Sequence, residues 1–398
     1  MYERAVNRTI RARLADEPRR HIQFVQGPRQ VGKTTSIQQV LRAIGIPVVE
    51  DNADTPGLRR GEWLTGRWLE AREIHARTGG PVVLFLDEVQ KVAEWSSWVK
   101  KHWDEDTRNG SDIRVILSGS TPIQMQQGMR ESLAGRFEVI HAPHWQWLEC
   151  RDAFGWDLDT FIYYGGYPGS ADHIGKLDRW HDYIQESIIE SSISRDILLM
   201  TRVDKPALLR QVFGLACEYA TRELTYEKIV GQLQDAGNTT TVAHYLELLA
   251  GSGLVSGLQK YSIESIRRRR SSPKMTVHNT ALMSVRGERT FEQARADPQW
   301  WGRLVEATVG AHLIALAQGP LNEVFYWRDK VRDKVREVDY VFKQRRSVTG
   351  IEVKSAAGDS AREGLAAFVA AQPHARAFLV GPGGVPLQEF LESELVTL

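Results

Sequence analysis

The sequence is poor in cysteine, in excess charge of one sign and in long apolar runs. Its 398 residues include two cysteines, Cys150 and Cys217, at a separation that fits no metal-binding pattern. This scarcity indicates a reducing compartment rather than a disulfide-stabilised domain, so we predict a cytoplasmic protein. The longest apolar runs, such as PVVLFL, have the length of a strand and are too short to span a bilayer. We therefore expect no membrane partner.

Positive and negative charges nearly cancel. The chain has 51 Lys and Arg against 50 Asp and Glu, which gives a formal net charge of +1. Any binding of nucleic acid must come from local basic patches, because the field of the whole chain is weak. The length suggests about two to four domains. The first residues, MYERAVNRTIRARL, lack the apolar centre of a signal peptide and predict a helix.

A phosphate-binding loop is predicted near the start of the chain. GPRQVGKT matches the pattern G-x-x-x-x-G-K-[ST] with Gly27, Gly32, Lys33 and Thr34. The glycines let backbone N–H groups surround phosphate oxygens at a helix N-terminus. We expect Lys33 to reach the β and γ phosphates of ATP, Thr34 to bind Mg²⁺, and Thr35 to lie beside them. A chance match in a turn is disfavoured, because a predicted strand precedes the loop and a predicted helix follows it.

Two further apolar runs end in polar residues. PVVLFLDEVQK predicts a strand buried on both faces that ends in Asp87 and Glu88. Asp87 is predicted to hold Mg²⁺, and Glu88 to orient or deprotonate the attacking water. IRVILSGSTP predicts another buried strand, whose Ser118 or Ser120 is a candidate for contact with the γ-phosphate. Serines also cap and turn chains, which is the alternative for both.

The order of phosphate loop, acidic strand and polar-tipped strand resembles the AAA+ class of P-loop ATPases. In that class an arginine at about the place of Arg136, in ESLAGRFEVI, reaches the nucleotide of the neighbouring subunit. The resemblance therefore implies that Arg136 acts in trans and that the chain forms a homo-oligomer, such as a ring or hexamer. The alternative is an ordinary surface arginine on a helix.

Motifs along nearly the whole chain extend the resemblance. GPRQVGKTT, FLDEVQK, LSGS, LAGRFEV, YYGGYPG, YWR, EVDYVF and IEVKS occur in the order of a prokaryotic family of AAA-type ATPases with a DUF4143 C-terminal region. The resemblance implies an α/β fold in four parts. These are an AAA+ P-loop core (1–145), a helical lid (146–204), a winged helix-turn-helix (205–265) and a C-terminal domain similar to PD-(D/E)XK nucleases (266–398).

A helix-turn-helix is predicted in the middle of the chain. LTYEKIVGQLQDAGNTTTVAHYLELLAGSGLV gives two short helices, and Thr239 or Thr240 is expected to cap the second. Its apolar stripe consists of Val242, Tyr245, Leu246 and Leu249. Thr240, Thr241 and His244 are expected to meet DNA phosphates or bases, whereas Glu247 would repel the backbone. A packing module between domains is the alternative.

A basic tract follows in RRRRSSPK. Arg267, Arg268, Arg269 and Arg270, with Lys274, are suited to neutralising DNA phosphates. Arginine runs are also common in solvated loops, and the sequence leaves both interpretations open.

A second charged site is predicted near the C-terminus. REVDYVFKQRRSVTGIEVKS has the pattern of a hairpin that brings Asp339 and Glu352 together, with Lys354 on the same face as Glu352. Carboxylates at such a rim are suited to Mg²⁺ or Mn²⁺, with Lys354 positioning a water or balancing charge. In PD-(D/E)XK nucleases an upstream helix donates a further acid, and Glu306 matches it. An ordinary surface ion pair is the alternative.

The C-terminal region departs from the nuclease pattern at three positions. Val338 stands where the superfamily has its proline, and Ala307 where asparagine is frequent. Asn279 stands where aspartate is frequent, so no role is assigned to it. None of these departures removes a predicted metal ligand.

The motifs lead to two main functional hypotheses. The first is an ATP-dependent DNA-processing ATPase whose C-terminal domain cuts a phosphodiester, with branched DNA as substrate by analogy with Holliday-junction resolvases. The second is a nucleotide-driven switch or remodeler whose nuclease-like domain only binds nucleic acid or a partner protein. A component of a defence or toxin-antitoxin system is a third. The four C-terminal site residues favour the first hypothesis, whereas the balanced charge and Glu247 favour the second.

Overall fold

The computed structural model describes most of the chain. The described ranges are 2–54, 61–119, 132–199, 201–233, 238–262, 272–331, 334–356 and 360–393. The chain divides into two compact units, Met1–Pro143 and His144–Leu398. Within the described ranges, no helix combines the length and apolar character needed to cross a bilayer.

The first unit contains a parallel sheet in the order β2-β3-β4-β1-β5. Its strands are β1 (Ile22–Gln26), β2 (Val48–Asn52), β3 (Val82–Asp87), β4 (Ile113–Gly119) and β5 (Phe137–His141). Its helices are α1 (Ala5–Arg11), α2 (Lys33–Ala43), α3 (Gly61–Thr78) and α4 (Trp95–Asn109), with a short 3-10 turn at Val89–Lys91. The predicted α/β class with a parallel sheet is confirmed.

Strand β3 is buried along its whole length because helices cover both faces of the sheet. Val82, Leu84 and Leu86 pack into the same apolar cluster as side chains of α3 and α4. Val83 and Phe85 pack into the opposite cluster, which contains side chains of α1 and α2. This alternation is the two-residue period of a strand between two helical layers, and it explains why the run has no polar residue before Asp87.

The register of the sheet brings polar strand ends to one edge. Asp87 at the end of β3 lies opposite Asn52 of β2 and Ser118 of β4. Gln26 at the end of β1 lies opposite Gly119 of β4. The loop from β1 to α2 therefore starts at the edge that also carries Asp87 and Ser118.

The second unit begins with helices. They are α5 (Trp147–Phe154), α6 (Leu158–Tyr164), α7 (Leu177–Asp182), α8 (Pro206–Glu218), α9 (Tyr226–Gln232) and α10 (Thr239–Gly251). A 3-10 segment, Pro168–His173, and two π-helical segments, Tyr183–Glu190 and Ser192–Leu198, lie among them. An antiparallel hairpin of β6 (Val255–Leu258) and β7 (Lys274–Val277) follows α10.

The second of the two predicted helices is confirmed as an amphipathic helix, but its cap differs from the expected one. The four stripe residues of α10 are all buried. Asn238, not Thr239 or Thr240, caps α10: its side-chain oxygen accepts a 2.9 Å hydrogen bond from the Thr241 amide. An amide oxygen one position earlier than the threonines reaches the first free N–H groups of the helix.

The rest of the second unit is an α/β arrangement. Helices α11 (Thr280–Arg286), α12 (Phe291–Ala296) and α13 (Pro298–Leu316) precede strands β8 (Asn322–Val331), β9 (Lys334–Gln344) and β10 (Ser347–Val353). Helix α14 (Ser360–Ala371), strand β11 (Arg376–Val380) and helix α15 (Leu387–Glu392) complete it. The sheet order is β11-β10-β9-β8, and β11 alone runs parallel to its neighbour. The predicted hairpin is confirmed as β9 and β10.

The cap of α10 can be tested by substitution. We expect Asn238→Ala to remove about 1 kcal/mol from the local stability of the helix start, because an N–H group loses its partner. Amide hydrogen exchange in the first turn of α10 should then be roughly fivefold faster. Thr240→Ala is the matched control and should leave exchange unchanged. Faster exchange in Thr240→Ala alone would mean that the threonine is the cap.

Candidate functional sites

The phosphate loop, Gly27 to Thr34, connects β1 to the N-terminus of α2. Gly32 has φ +83°, a left-handed conformation that disfavours other residues, and Lys33 follows it as the first helical residue. The Lys33 ammonium donates to the carbonyl oxygens of Gly27 at 2.9 Å and Pro28 at 2.8 Å. The ammonium therefore lies over the loop at the positive end of the helix, where an anion binds best.

Two contacts that the sequence did not reveal hold this loop in place. A side chain at Gly27 would overlap the carbonyl oxygen of Ala142, so only glycine fits there. The buried guanidinium of Arg4 donates to the carbonyl oxygens of Val31 at 2.9 Å and Pro143 at 3.1 Å. Arg4 thus connects the phosphate loop to the chain that follows β5, and no local pattern predicts such a long-range contact.

Asp87 is the centre of a hydrogen-bonded set at the edge of the sheet. Its Oδ2 accepts from the Thr34 hydroxyl at 2.8 Å, and its Oδ1 accepts from the Ser118 hydroxyl and, at 3.0 Å, from the Glu88 amide. Asp87 and Ser118 are both buried. The structure therefore brings together Thr34, Asp87 and Ser118, which the sequence drew from three separate motifs.

This set fits a magnesium ion. The hydroxyl of Thr34 and the carboxylate of Asp87 are hard oxygen ligands, and Mg²⁺ in nucleotide sites takes one or two such ligands together with phosphates and waters. Both side chains adjoin the phosphate loop. The remaining ligands would come from the nucleotide and from water.

Glu88 is oriented by two neighbours that the sequence analysis did not single out. Its backbone is left-handed, with φ 53°. Its Oε2 accepts from Gln90 Nε2 at 2.7 Å and lies 3.4 Å from Lys91 Nζ. Lys91 also pairs with Asp54. Gln90 and Lys91 both belong to the motif FLDEVQK. The turn after β3 brings their side chains back to Glu88, which the motif alone does not show.

The structure gives little support for the roles predicted for two other residues of this site. Thr35 is exposed in the first turn of α2. Ser120 lies outside the described residues. Their predicted roles remain predictions.

Arg136 makes a two-point ion pair within its own unit. Its Nε lies 2.7 Å from Asp104 Oδ1 and its Nη2 lies 3.1 Å from Asp104 Oδ2. The hydrogen bond between them raises the pKa of Arg136 and lowers the pKa of Asp104. Both side chains are partly exposed. The predicted contact with a neighbouring subunit would require Arg136 to leave this pair.

In the second unit, Asp339 and Glu352 lie on adjacent strands, one position beyond the paired residues Tyr340 and Ile351. Asp339 Oδ2 accepts from the Val353 amide at 2.9 Å, and Glu352 Oε2 accepts from the Asp339 amide at 3.3 Å. Each carboxylate thus binds the backbone of the opposite strand. The predicted convergence of these residues is observed.

Lys274 lies between the carboxylates, contrary to expectation. We grouped it with the arginine tract as a phosphate-binding residue, but it is the buried first residue of β7. Its ammonium lies 2.7 Å from Glu306 Oε1 on α13 and 3.2 Å from Asp339 Oδ1, and it donates to the Asp339 carbonyl at 3.1 Å. The ring of Tyr340 lies 4.9 Å from it. We call Lys274, Glu306, Asp339, Glu352 and Lys354 the acidic cluster.

Burial and mutual contacts shift the pKa values of groups in the acidic cluster. Burial, with the charge of Asp339, raises the pKa of Glu306 to about 8 and that of Glu352 to about 7. Burial alone would lower the pKa of Lys274, but Glu306 and Asp339 raise it well above its usual value. Lys354 Nζ donates to Glu352 Oε1 at 2.7 Å, and its pKa is also raised.

The acidic cluster does not fit a divalent ion in this arrangement. Both oxygens of Asp339, both of Glu352 and Oε1 of Glu306 already contact ammonium or amide groups. Among the residues that the structure describes, no group of three or more His, Cys, Asp or Glu is arranged to hold a metal ion. The predicted alternatives are a metal site and a surface ion pair, and the geometry shows instead a buried ion-pair network.

The structure describes some of the residues that are predicted to contact DNA. Thr240 and His244 are exposed on α10, as is Glu247, and Thr241 is half-buried. Arg267, Arg268, Arg269 and Arg270 lie outside the described residues. Asn279, to which no role was assigned, caps α11 by accepting a 3.1 Å hydrogen bond from the Ala281 amide.

The magnesium ligands predict a specific defect. Asp87→Asn keeps a hydrogen-bonding group beside Thr34 and Ser118 but removes the charge that favours Mg²⁺. We expect Mg²⁺ to strengthen ATP binding in the wild type and to have little effect in Asp87→Asn, measured by titration with and without Mg²⁺. Asp112→Asn, the same change at the residue before the start of β4, is the control. A full Mg²⁺ effect in Asp87→Asn would contradict the assignment.

Comparison with known proteins identifies three regions. Residues 19–150 match a family model described as an AAA domain. Residues 155–289 match a domain of unknown function (DUF8612), and residues 301–391 match another (DUF4143). The second match spans both the predicted lid and the predicted winged helix.

Two curated relatives match most of the chain. Uncharacterized protein Mb2031c of Mycobacterium bovis and uncharacterized protein Rv2008c of Mycobacterium tuberculosis are each 23% identical over 367 residues, covering 90% of this chain and 76% of theirs. Among solved structures, the Aeropyrum pernix ORC2 protein, in ADPNP-ADP complexes, has 15% identity, a TM-score of 0.34, and coverage of 64% of this chain and 85% of its own. That likeness is too weak to carry an argument. The matches to family models confirm an AAA-type ATPase domain with ATP-binding motifs and a C-terminal DUF4143 region.

Proposed function

We propose that this chain is a Mg²⁺-dependent ATPase that uses nucleotide hydrolysis to drive a switch or remodeler acting on DNA. The observation that carries the proposal is the hydrogen-bonded set of Thr34, Asp87 and Ser118 beside the Lys33 ammonium. Thr34 lies 53 positions before Asp87, and Asp87 lies 31 positions before Ser118, yet the three side chains meet at one point. That arrangement is suited to holding a nucleoside triphosphate and its metal ion.

Each residue of the site has a role that follows from its position. Lys33 now donates to carbonyl oxygens of the loop, and its ammonium would turn to phosphate oxygens when ATP binds. Thr34 and Asp87 would hold Mg²⁺, which would neutralise phosphate charge. Glu88, oriented by Gln90, would position the attacking water and accept its proton. Ser118, bound to Asp87, would sense the γ-phosphate.

The four-part organisation predicted from the sequence is part of this proposal. We retain the ATPase core at 1–145, the lid at 146–204, the winged helix at 205–265 and the nuclease-like domain at 266–398. The order of three helices, α8 to α10, followed by β6 supports the winged-helix assignment, although β7, which pairs with β6, lies beyond its predicted end at residue 265. The arginine tract stands in the sequence between those two strands, where a wing would carry it toward DNA.

Helix α10 is the proposed DNA-contacting helix. Its buried stripe faces the protein, and Thr240 and His244 are exposed one helical turn apart. Glu247 is exposed on the same side and would weaken contact with phosphates. Binding by α10 and the arginine tract would therefore be modest and sensitive to salt.

Cutting of a phosphodiester at Glu306, Asp339, Glu352 and Lys354 is supported by the convergence of these four residues. It is disfavoured by their contacts, since five of the six carboxylate oxygens are already engaged. No step through a metal ion is derived for this cluster. The balance favours the switch or remodeler over the nuclease.

The proposal is tested with DNA and ATP together. We expect linear, single-stranded or four-way DNA to increase the ATPase rate of the wild type, without cutting of any of them in Mg²⁺ or Mn²⁺. Glu247→Lys should strengthen DNA binding several-fold and steepen its salt dependence by about one unit, because one repulsive charge becomes attractive. The matched change Glu292→Lys, on α12, should have little effect on binding. An ATPase indifferent to every DNA tested would contradict the DNA-acting role.

Arg136 is proposed to contact the nucleotide of a neighbouring subunit in a homo-oligomer. We expect Arg136→Ala to lower ATP hydrolysis by about 10³-fold with ATP binding retained, since a trans arginine stabilises only the transition state. Asp104→Asn removes the resting partner but keeps the arginine, so hydrolysis should persist. Mass measurements with and without ATP should reveal nucleotide-linked assembly. Equal loss of hydrolysis in both variants would instead indicate a local structural role for the pair.

A further inference from the structure

Lys274 joins two regions that match different family models. It lies within the DUF8612 match, whereas its partners Glu306 and Asp339 lie within the DUF4143 match. It extends from the first residue of β7 across to α13 and β9. Sixty-five positions separate Lys274 from Asp339 in the sequence.

We propose that Lys274 is the resident cation of the acidic cluster, so that its ammonium takes the place of a divalent metal and fastens the β6–β7 hairpin to the DUF4143 region. The first support is geometric. One ammonium has three donors, and it meets Glu306 Oε1, Asp339 Oδ1 and the Asp339 carbonyl at 2.7 to 3.2 Å. Two of these contacts are hydrogen bonds to Asp339, and the third is an ion pair with Glu306.

The second support is burial. Only 7% of the Lys274 side chain is exposed, which is rare for a lysine without compensating charge. An ammonium so far from water is stable only with close counter-charges. Glu306 and Asp339 supply them, and the ring of Tyr340 adds its negative face at 4.9 Å. Tyr340 also donates to the Glu306 carbonyl at 3.0 Å and so holds α13 against β9.

The third support is the charge balance of the cluster. Three carboxylates and two ammonium groups carry a net charge of −1 when all are ionised, and the raised pKa values of Glu306 and Glu352 bring that charge closer to zero near neutral pH. A divalent ion added beside Lys274 would reverse that sign and would lie against a buried positive charge. A metal would therefore bind only if Lys274 withdrew from its partners, which would also release the hairpin from α13 and β9.

The inference deepens the proposed switch, since it identifies contacts through which the β6–β7 hairpin and the DUF4143 region are joined. It does not depend on ATP hydrolysis. Metal binding to the cluster is therefore measured in an Asp87→Asn background, which removes the metal site of the ATPase domain. Failure of this test would leave the ATPase proposal intact, and the reverse also holds.

The test is a titration of the full chain with Mn²⁺, followed by electron paramagnetic resonance. The Asp87→Asn protein is expected to bind no Mn²⁺ that depends on Asp339. Adding Lys274→Met, a neutral side chain of similar length, should create a site that binds Mn²⁺ about tenfold or more tightly, because the competing charge is gone. That site should disappear when Asp339→Asn is added. Lys343→Met is the matched control. Lys343 lies on β9, but it pairs with the exposed Glu323 and not with the acidic cluster, so this change should create no site.

Two results of this titration would overturn the inference. One is Asp339-dependent Mn²⁺ binding while Lys274 is present. The other is a folded Lys274→Met protein that binds Mn²⁺ no more tightly than its parent.

If Lys274→Met fails to fold, a second measurement tests whether the Lys274 ammonium occupies the acidic cluster. Lysine labelling of the unmodified chain, analysed by mass spectrometry, should leave Lys274 protected and Lys343 labelled. The protection should persist in millimolar Mn²⁺. Labelling of Lys274 at the rate of Lys343, or its appearance on addition of Mn²⁺, would contradict a resident ammonium.

Discussion

A buried charge must be matched by partners within hydrogen-bonding distance, and this constraint organises both units of the chain. In the first unit the charge is the carboxylate of Asp87 at the end of a strand covered on both faces. Thr34, Ser118 and the Glu88 amide satisfy it. The same groups define the edge on which the phosphate loop lies. The contacts that stabilise the sheet edge and the proposed binding of Mg²⁺ thus depend on the same atoms.

The second unit meets the same constraint in a different way. Its carboxylates come from a helix and two strands, and their main partner is a lysine from a separate hairpin. Protein ammonium groups and amides occupy oxygens that would otherwise be available to an ion. A site that the sequence interprets as catalytic therefore has the contacts of a structural junction. The difference between the two sites is that the partners of Asp87 are neutral donors, whereas an ammonium group contacts Glu306 and Asp339.

The parts of this account that the sequence predicted are those carried by local patterns. The phosphate loop, the buried strand ending in Asp87 and the hairpin that pairs Asp339 with Glu352 follow from motif spacing and from periodicity within about twenty residues. The stripe of α10 is of the same kind. In each case neighbours in the sequence are also neighbours in the structure, or parallel strands bring equivalent ends together.

The parts that the sequence did not predict depend on contacts between distant elements. Arg4 reaches the carbonyl of Pro143, and Lys274 reaches Asp339. The pattern around Lys274 contained a clue, since KMTV after Pro273 is a plausible short strand, but the adjacent arginines suggested an exposed tract. Asn238 was missed as a cap because the threonines after it are also frequent caps. Side-chain type narrows such choices, and only the fold decides them.

The central claim is that one of the two charged sites binds metal and the other contains its own cation. Anomalous X-ray scattering from crystals grown with Mn²⁺ and a non-hydrolysable ATP analogue tests both halves at once. The account predicts a manganese peak beside Thr34 and Asp87 and no peak among Glu306, Asp339 and Glu352, with the Lys274 side chain still in contact with the acids. A manganese peak within the acidic cluster, with Lys274 displaced, would contradict it.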